Sequence, residues 1–327
     1  MKIGKVPEQV LKRSVLQQIH NRRDEVLTGA SVGEDCAAVM IAEDEMFVMS
    51  TDPITGTAKD VGQLAVQITA NDLASAGAQP IGVMLTILLP ERISEQKLRD
   101  MMQQAEAACA KADMQIIGGH TEVTKAVNQP IISVVGVGKA KKGRLISTGG
   151  ARAGMDIIVT KWVGIEGTSI IAKEKEEQLR SRFEQPFINQ AKAFDELLSV
   201  LPEAAVAVKN DAAAMHDVTE GGIFGALWEM AEASGVGLRI DLKKIPIRQE
   251  TIEICEFFEV NPYELISSGS MLIAAKDGGR IVYELEKQGI HAAVVGKAVE
   301  GNDRIIYTAE EQRFLEPPKA DELYKVI

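Results

Sequence analysis

The sequence predicts an α+β protein built in two successive parts, each mixing helices with paired strands. Three observations predict it. Strand-like runs occur both between helices and as neighbours joined by short turns, which suits α+β layers better than one strictly parallel sheet. The glycine-rich stretch "RLISTGGARAGMDIIVTK" separates two strand-like runs, and the pattern begins afresh after it. The 327 residues, 46% hydrophobic and 25% charged, suffice for two ordinary globular domains. We therefore expect one domain over residues 1–150 and a second over residues 151–327.

In the first part, "CAAVMIA" and "EMFVMST" read as strands joined by an acidic turn at Glu43, Asp44 and Glu45. "VGQLAVQITANDLASAG" reads as a small-residue helix, and "IGVMLTILLP" as a buried strand ended by Pro90. "SEQKLRDMMQQAEAACAKA" is an amphipathic helix, apolar at Leu98, Met101, Met102, Ala105 and Ala108, with Ser94 at its start. "MQIIGGHTEV" is a strand running into a glycine loop, and "PIISVVGVGKA" is another strand. The second part opens with the strand "DIIVTKWVG", a charged helical face at 173–182 and the helix "NQAKAFDELLSVL". A glycine turn and the helix "DVTEGGIFGALWEMAEASG" follow, then the strand "GLRIDL", the helix "RQETIEICEFF" and the strand "SMLIAA". "GGRIVYELEKQG" and "AAVVGKAV" finish the fold as helix and strand.

A net charge of −11 argues against a general nucleic-acid surface, though not against a local anion site made of backbone amides. Cys36, Cys109 and Cys255 make no CxxC pair, which fits a reducing compartment without zinc or disulfides. No apolar run reaches membrane-spanning length and the N-terminus has no signal-peptide core, so we expect a cytoplasmic protein.

The chemistry-bearing residues sit at predicted element ends. Asp35 in "GEDCAAV", Asp52 in "STDP" and Asp72 on the first helix, with Asn71 beside it, could meet at one edge of a compact domain. Each alone reads as a cap or turn residue. Together they offer the oxygen ligands that Mg²⁺ takes alongside substrate phosphates. Gly118 and Gly119 would allow close backbone approach to phosphate, although glycine pairs mostly mark plain turns. Neither GxxxxGK[ST] nor an isolated GxGxxG is present. In the second part, Gly221 and Gly222 precede a helix whose N-terminus is an anion site by geometry and dipole. His216 is a candidate acid-base group, against the plainer role of a hydrogen-bonded structural histidine. Cys36 begins an apolar strand and is expected to be buried.

The ordered motifs "VGEDCAAV", "STDPITG", "ANDLASAGAQP", "IIGGHTEVT", "TGGARAGMDIIVTK", "HDVTEGGIFGAL" and "SSGSMLIA" resemble those of the aminoimidazole ribonucleotide synthetase, or PurM-like, superfamily. "GARAGMDIIVTK", "VGIEGTSIIA" and "DVTEGGIFGAL" look most like its hydrogenase-maturation HypE branch. The resemblance implies an N-terminal domain that binds Mg-ATP and pairs with its copy in a barrel-like homodimer, and a C-terminal substrate domain. It also implies phosphorylation of an amide or carboxylate oxygen, as in a carbamoyl-like substrate, with a maturation protein as a further partner. It assigns metal to Asp35, Asp52 and Asp72. It assigns nucleotide and phosphate to Asn71, Gly118, Gly119, Thr121, Gly221 and Gly222. Asp217, with Thr219, falls in the loop that faces substrate, and His216 and Glu220 flank that position as catalytic candidates.

The sequence departs from the pattern in three places. His120, before Thr121 and Glu122, stands where many relatives carry an acidic residue, so His120 or Glu122 would have to supply that metal contact. Glu220 stands where relatives are often basic or small. The sequence ends "EPPKADELYKVI", without the terminal cysteine that carries the carbamoyl group in the HypE branch, so that reaction is not expected in its usual form. Two alternatives follow: a nucleotide-binding partner without turnover, and a thiamine-monophosphate kinase-like phosphotransferase. A selenophosphate synthetase would need a reactive Cys before Gly33, and none is there.

Overall fold

The computed structural model describes residues 3–34, 36–54, 60–317 and 319–327. The chain forms two compact units, Met1–Ala74 with Ala78–Leu145, and Ser75–Gly77 with Ile146–Ile327.

The first unit runs β1 (Gly4–Lys5), α1 (Glu8–Ser14), β2 (Val26–Thr28), β3 (Ala38–Val39), β4 (Glu45–Ile54), α2 (Val61–Ser75), β5 (Gln79–Leu89), α3 (Glu95–Lys111), β6 (Gln115–Val123) and β7 (Ile131–Lys141). Five strands make one mixed sheet in the order β1-β6-β5-β7-β4, with only β5 and β6 parallel. Alternation along β5 buries Val83, Leu85, Ile87 and Leu89 on the face that the helices cover. Two glycines of β7 let α2 come close: a Cβ on Gly136 would stand 2.2 Å from Thr69 Cγ2, and one on Gly138 3.4 Å from Leu73. Ser94 caps α3 as its sequence position suggests, its hydroxyl accepting from the Lys97 amide at 3.2 Å.

Two expectations change here. The run expected as the strand "CAAVMIA" pairs only over β3, and Cys36 is exposed rather than buried. Gly118 and Gly119 lie within β6, not in a loop after it. Ile117 bulges between the pairs Val83–Ile116 and Met84–Gly118, and the strand then continues. Only glycine fits at 119, where φ is 142° and a Cβ would stand 2.1 Å from the Leu85 carbonyl oxygen.

The second unit runs β8 (Asp156–Thr160), α4 (Ile165–Glu174), α5 (Glu176–Leu179), α6 (Gln185–Lys192), α7 (Leu201–Lys209), β9 (Ala214–Asp217), α8 (Gly222–Ser234), β10 (Gly237–Asp241), α9 (Gln249–Phe257), β11 (Met271–Ala275), α10 (Gly278–Glu286), β12 (Ala292–Val299), β13 (Arg304–Tyr307) and β14 (Gln312–Phe314). Its seven strands form a mixed sheet ordered β14-β13-β10-β12-β8-β11-β9. One core gathers Ile157, Val159, Ile223, Leu227, Leu238 and Ile240; another gathers Ile171, Leu179, Ile188, Ile254 and Leu265. The charged stretch at 173–182 is not one solvated helix face. It breaks after Glu174, buries Leu179, and pairs Glu176 with Lys192 at 2.5 Å. The fold does not finish at β12, because β13 and β14 extend the sheet edge.

Candidate functional site

In the first unit, register decides which candidates share a face. Asp52 pairs with Val134, Val134 with Leu85, and Leu85 with Gly119. These four form one row across β4, β7, β5 and β6 on the helix-covered face, about 14 Å from end to end at ordinary strand spacing. Ser50, two residues before Asp52, points the same way and donates its hydroxyl to the Asp72 carboxylate from α2. Asn71, fully buried, accepts from Gln67 at 3.3 Å. Asp52 and Asp72 therefore belong to one neighbourhood, and Asn71 is packed within α2 beside it. Asp35 lies outside the described residues.

The next row runs Pro53, Ser133, Thr86 and His120, so His120 points from the opposite face. It pairs there with Glu122 at 3.2 Å. His120 and Glu122 thus stand on the other face of the sheet from Asp52, because one residue of register reverses the face. Among the described residues no three His, Cys, Asp or Glu side chains converge as a metal cage. Asp52 and Asp72 both offer carboxylate oxygens, the donor type that Mg²⁺ takes when phosphates complete its shell.

Beyond β6 the sheet edge is nearly open. β1 pairs only at Glu122 and Val123, and the Val6 amide reaches the Thr121 carbonyl. A cavity of about 110 Å³ lies there, lined by Ser31, Gly33, Glu34, Gly118, Gly119 and Thr121 among others. It is phosphate-sized rather than nucleotide-sized, against roughly 300–1,000 Å³ for a whole ligand site.

In the second unit the candidates disperse. His216 and Asp217 are neighbours on β9 and so face opposite ways. His216 bonds Glu229 of α8 at 2.8 Å, while Asp217 is buried. Glu220 is exposed and accepts from the Tyr324 hydroxyl at 2.5 Å, a bond that pushes the phenol up to about 12. Gly221 and Gly222 both have positive φ, and a Cβ on Gly222 would stand 2.6 Å from the Tyr263 carbonyl. The amides expected to await an anion are already engaged. Gly221 donates to the Asp321 carboxylate at 2.8 Å, Gly222 to the Thr219 carbonyl, and Phe224 to the Tyr263 carbonyl. Asp321 is the chain's own anion at this helix start.

Sequence reasoning missed Glu166, Asp321 and the Lys161–Glu203 pair. Glu166, at the start of α4, is buried and accepts from the Ser268 amide at 3.1 Å. Burial pushes its carboxyl up to about 7, helped by the charges of Asp321 and Glu220. Lys161 Nζ lies 2.6 Å from Glu203 and donates to the carbonyls of Ser199 and Gly269 at 2.5 and 2.7 Å. Burial lowers the lysine and raises the glutamate. Glu166 and Lys161 stand inside motifs that carried the resemblance, but only contacts show that they are buried.

Residues 33–140 match the family model for the N-terminal domain of AIR synthase related proteins, and residues 152–308 match that for the C-terminal domain. The chain belongs to this PurM-like family of enzymes. A protein of Methanocaldococcus jannaschii named for hydrogenase expression and formation is 29% identical over 333 residues, 99% of this chain and 97% of its own. The carbamoyl dehydratase HypE of Rhodobacter capsulatus is 29% identical over 279 residues, 84% of this chain and 79% of its own. A selenide, water dikinase of Bordetella bronchiseptica is 30% identical over 247 residues, 74% and 68% respectively. The fold superposes on a HypE hydrogenase maturation protein solved with ATP at a TM-score of 0.81, with 20% identity, covering 99% of this chain and 97% of that one. For a thiamine-monophosphate kinase of Stenotrophomonas maltophilia the TM-score is 0.75, with 19% identity, covering 95% and 99%. Among the described residues no helix is long and apolar enough to cross a membrane.

Proposed function

We propose that the protein uses Mg-ATP to phosphorylate an oxygen of a small amide- or carboxylate-like substrate. With an amide, loss of the phosphorylated oxygen as phosphate makes the outcome a dehydration. The observation that carries the reading is the row from Asp52 to Gly119, with Asp72 held by Ser50 at its acidic end. Membership of the family supports it, and so does the ATP held by the HypE structure of the same fold.

Asp52 and Asp72 would hold Mg²⁺, which supplies charge neutralisation of the phosphates. Gly118 and Gly119, without side chains on an open strand edge, would let phosphate oxygens approach the backbone. The acceptor oxygen attacks the γ-phosphorus as the bond to ADP breaks. Where the acceptor is an amide, its nitrogen releases one proton at phosphorylation and the second as phosphate departs. Asp217, buried at the end of β9, is the carboxylate we assign to the substrate side. In this reading catalysis is mostly positioning and electrostatics.

Titration calorimetry with ATP, with and without Mg²⁺, tests the reading on the wild type and on Asp72→Asn. The expected result is Mg-dependent binding weakened about a hundredfold in the variant, about 2.7 kcal/mol, with an unchanged circular dichroism spectrum. Equal affinity in both proteins would sink it. Tight binding without ADP release against any amide or carboxylate would favour a nucleotide-binding partner without turnover.

The same reading includes a homodimer. The face of the first sheet opposite its helices carries Phe47, Met49, Met84, Val135 and Leu88, and Phe47 and Met49 are exposed. An apolar sheet face of this kind supports pairing with a second copy.

A further inference from the structure

A pocket of about 390 Å³ lies in the second unit beside the glycine loop, within the usual range for a small-ligand site. Its apolar wall is Phe224 on α8 with Ile306 and Leu315. The outer wall is Glu316, Pro317, Lys319 and Ala320, and three contacts hold the chain just beyond it. Asp321 accepts from Gly221 at 2.8 Å, Glu322 from the Asn261 amide at 3.1 Å, and Tyr324 donates to Glu220 at 2.5 Å.

The charges on the lining decide what fits. Arg313 and Lys319 face Glu264 and Glu316, so the pocket is neutral as a whole. Lys319 is held by Glu316 at 2.6 Å and also feels Glu264. Arg313 lies 5.5 Å over the Phe224 ring, and among the described residues no ion pair engages it. A nucleoside triphosphate would meet no net positive potential here. A zwitterion or an amide meets a guanidinium fork suited to a carboxylate or carbonyl, a carboxylate suited to an N–H, and an apolar wall between them.

We propose that this pocket is a ligand site in its own right and that its ligand is amino-acid-like: a small zwitterion, or its amide, with an apolar body.

The test is a thermal-shift panel on the full chain without nucleotide, using the twenty common amino acids and their carboxamides at millimolar concentration. Inorganic phosphate and ADP serve as controls, and calorimetry follows on any hit. At least one amino acid or amide should stabilise the protein saturably. Arg313→Gln should weaken it at least tenfold, and Glu264→Gln should do likewise; both side chains lie at the rim, away from the packed core. Lys287→Gln, just after α10, should leave the affinity unchanged. The proposal is overturned if no panel member binds, if Arg313→Gln binds as well as wild type, or if phosphate or ADP displaces the hit. Because no nucleotide is present, the panel can fail while Asp72-dependent ATP binding survives, and the reverse, so the two readings fall separately.

Discussion

Glu166 is the residue on which the second unit's pH response should turn. Its carboxyl is raised to about 7 by burial first and by neighbouring negative charge second. A folded value above the ordinary carboxylate range means that the folded chain holds a proton which the unfolded chain has released. The associated stability is therefore fully present below about pH 4.5 and is lost as pH rises through about 7, and it amounts to about 3 kcal/mol. Urea denaturation at pH 5 and pH 8 should show this loss in wild type and a flatter profile in Glu166→Gln. An equal pH slope in both proteins would remove Glu166 as its source. At this scale the sequence was partly legible. Asp52 and Asp72 could be chosen by residue type and position, and register places them on one side of the sheet. His120 and Glu122 were chosen on the same grounds and point the other way, because alternation is fixed by pairing and not by composition.

At the scale of elements, the contact between α2 and β7 sets the geometry of the acidic end. Thr69 lies over Gly136 with its hydroxyl bonded to the Ala65 carbonyl at 2.9 Å, which fixes its rotamer and keeps its methyl pressed on the strand. Gly136→Ala should destabilise the first unit by roughly 1–3 kcal/mol through overpacking. It should also weaken Mg-dependent ATP binding, since α2 carries Asp72; thermal melts and calorimetry read the two effects. Wild-type stability in that variant would show that the helix can lift without cost. Most element types could be read from period and punctuation, as in α3, where the apolar spacing and Ser94 appear in the structure as predicted. Elements set by distant partners could not. β6 reads as a strand followed by a glycine loop, yet parallel pairing with β5 carries it through Gly118 and Gly119. β13 and β14 are short, and pairing alone makes them strands, β13 with β10 and β14 with β13.

For the whole molecule, the exposed apolar face of the first sheet is the feature that association would use. Met49→Glu places a charge at its most exposed large side chain, 65% accessible in the chain by itself. Sedimentation velocity should then find a dimer for wild type and a monomer for the variant. A dimer retained in the variant would move the interface elsewhere.

The sequence by itself determined the α+β class, the order of most elements and the family, because local propensity, hydrophobic period and ordered motifs are properties of the chain. It also marked Asp52 and Asp72, whose residue types suit the chemistry. Only the tertiary structure decided that His216 and Asp217 face apart, that Asp321 occupies the amide of Gly221, and that a neutral pocket lies beside it. The reason is distance along the chain. Asp321 comes a hundred residues after the amide it meets, and no local pattern records a contact that exists only once the sheet has closed its register.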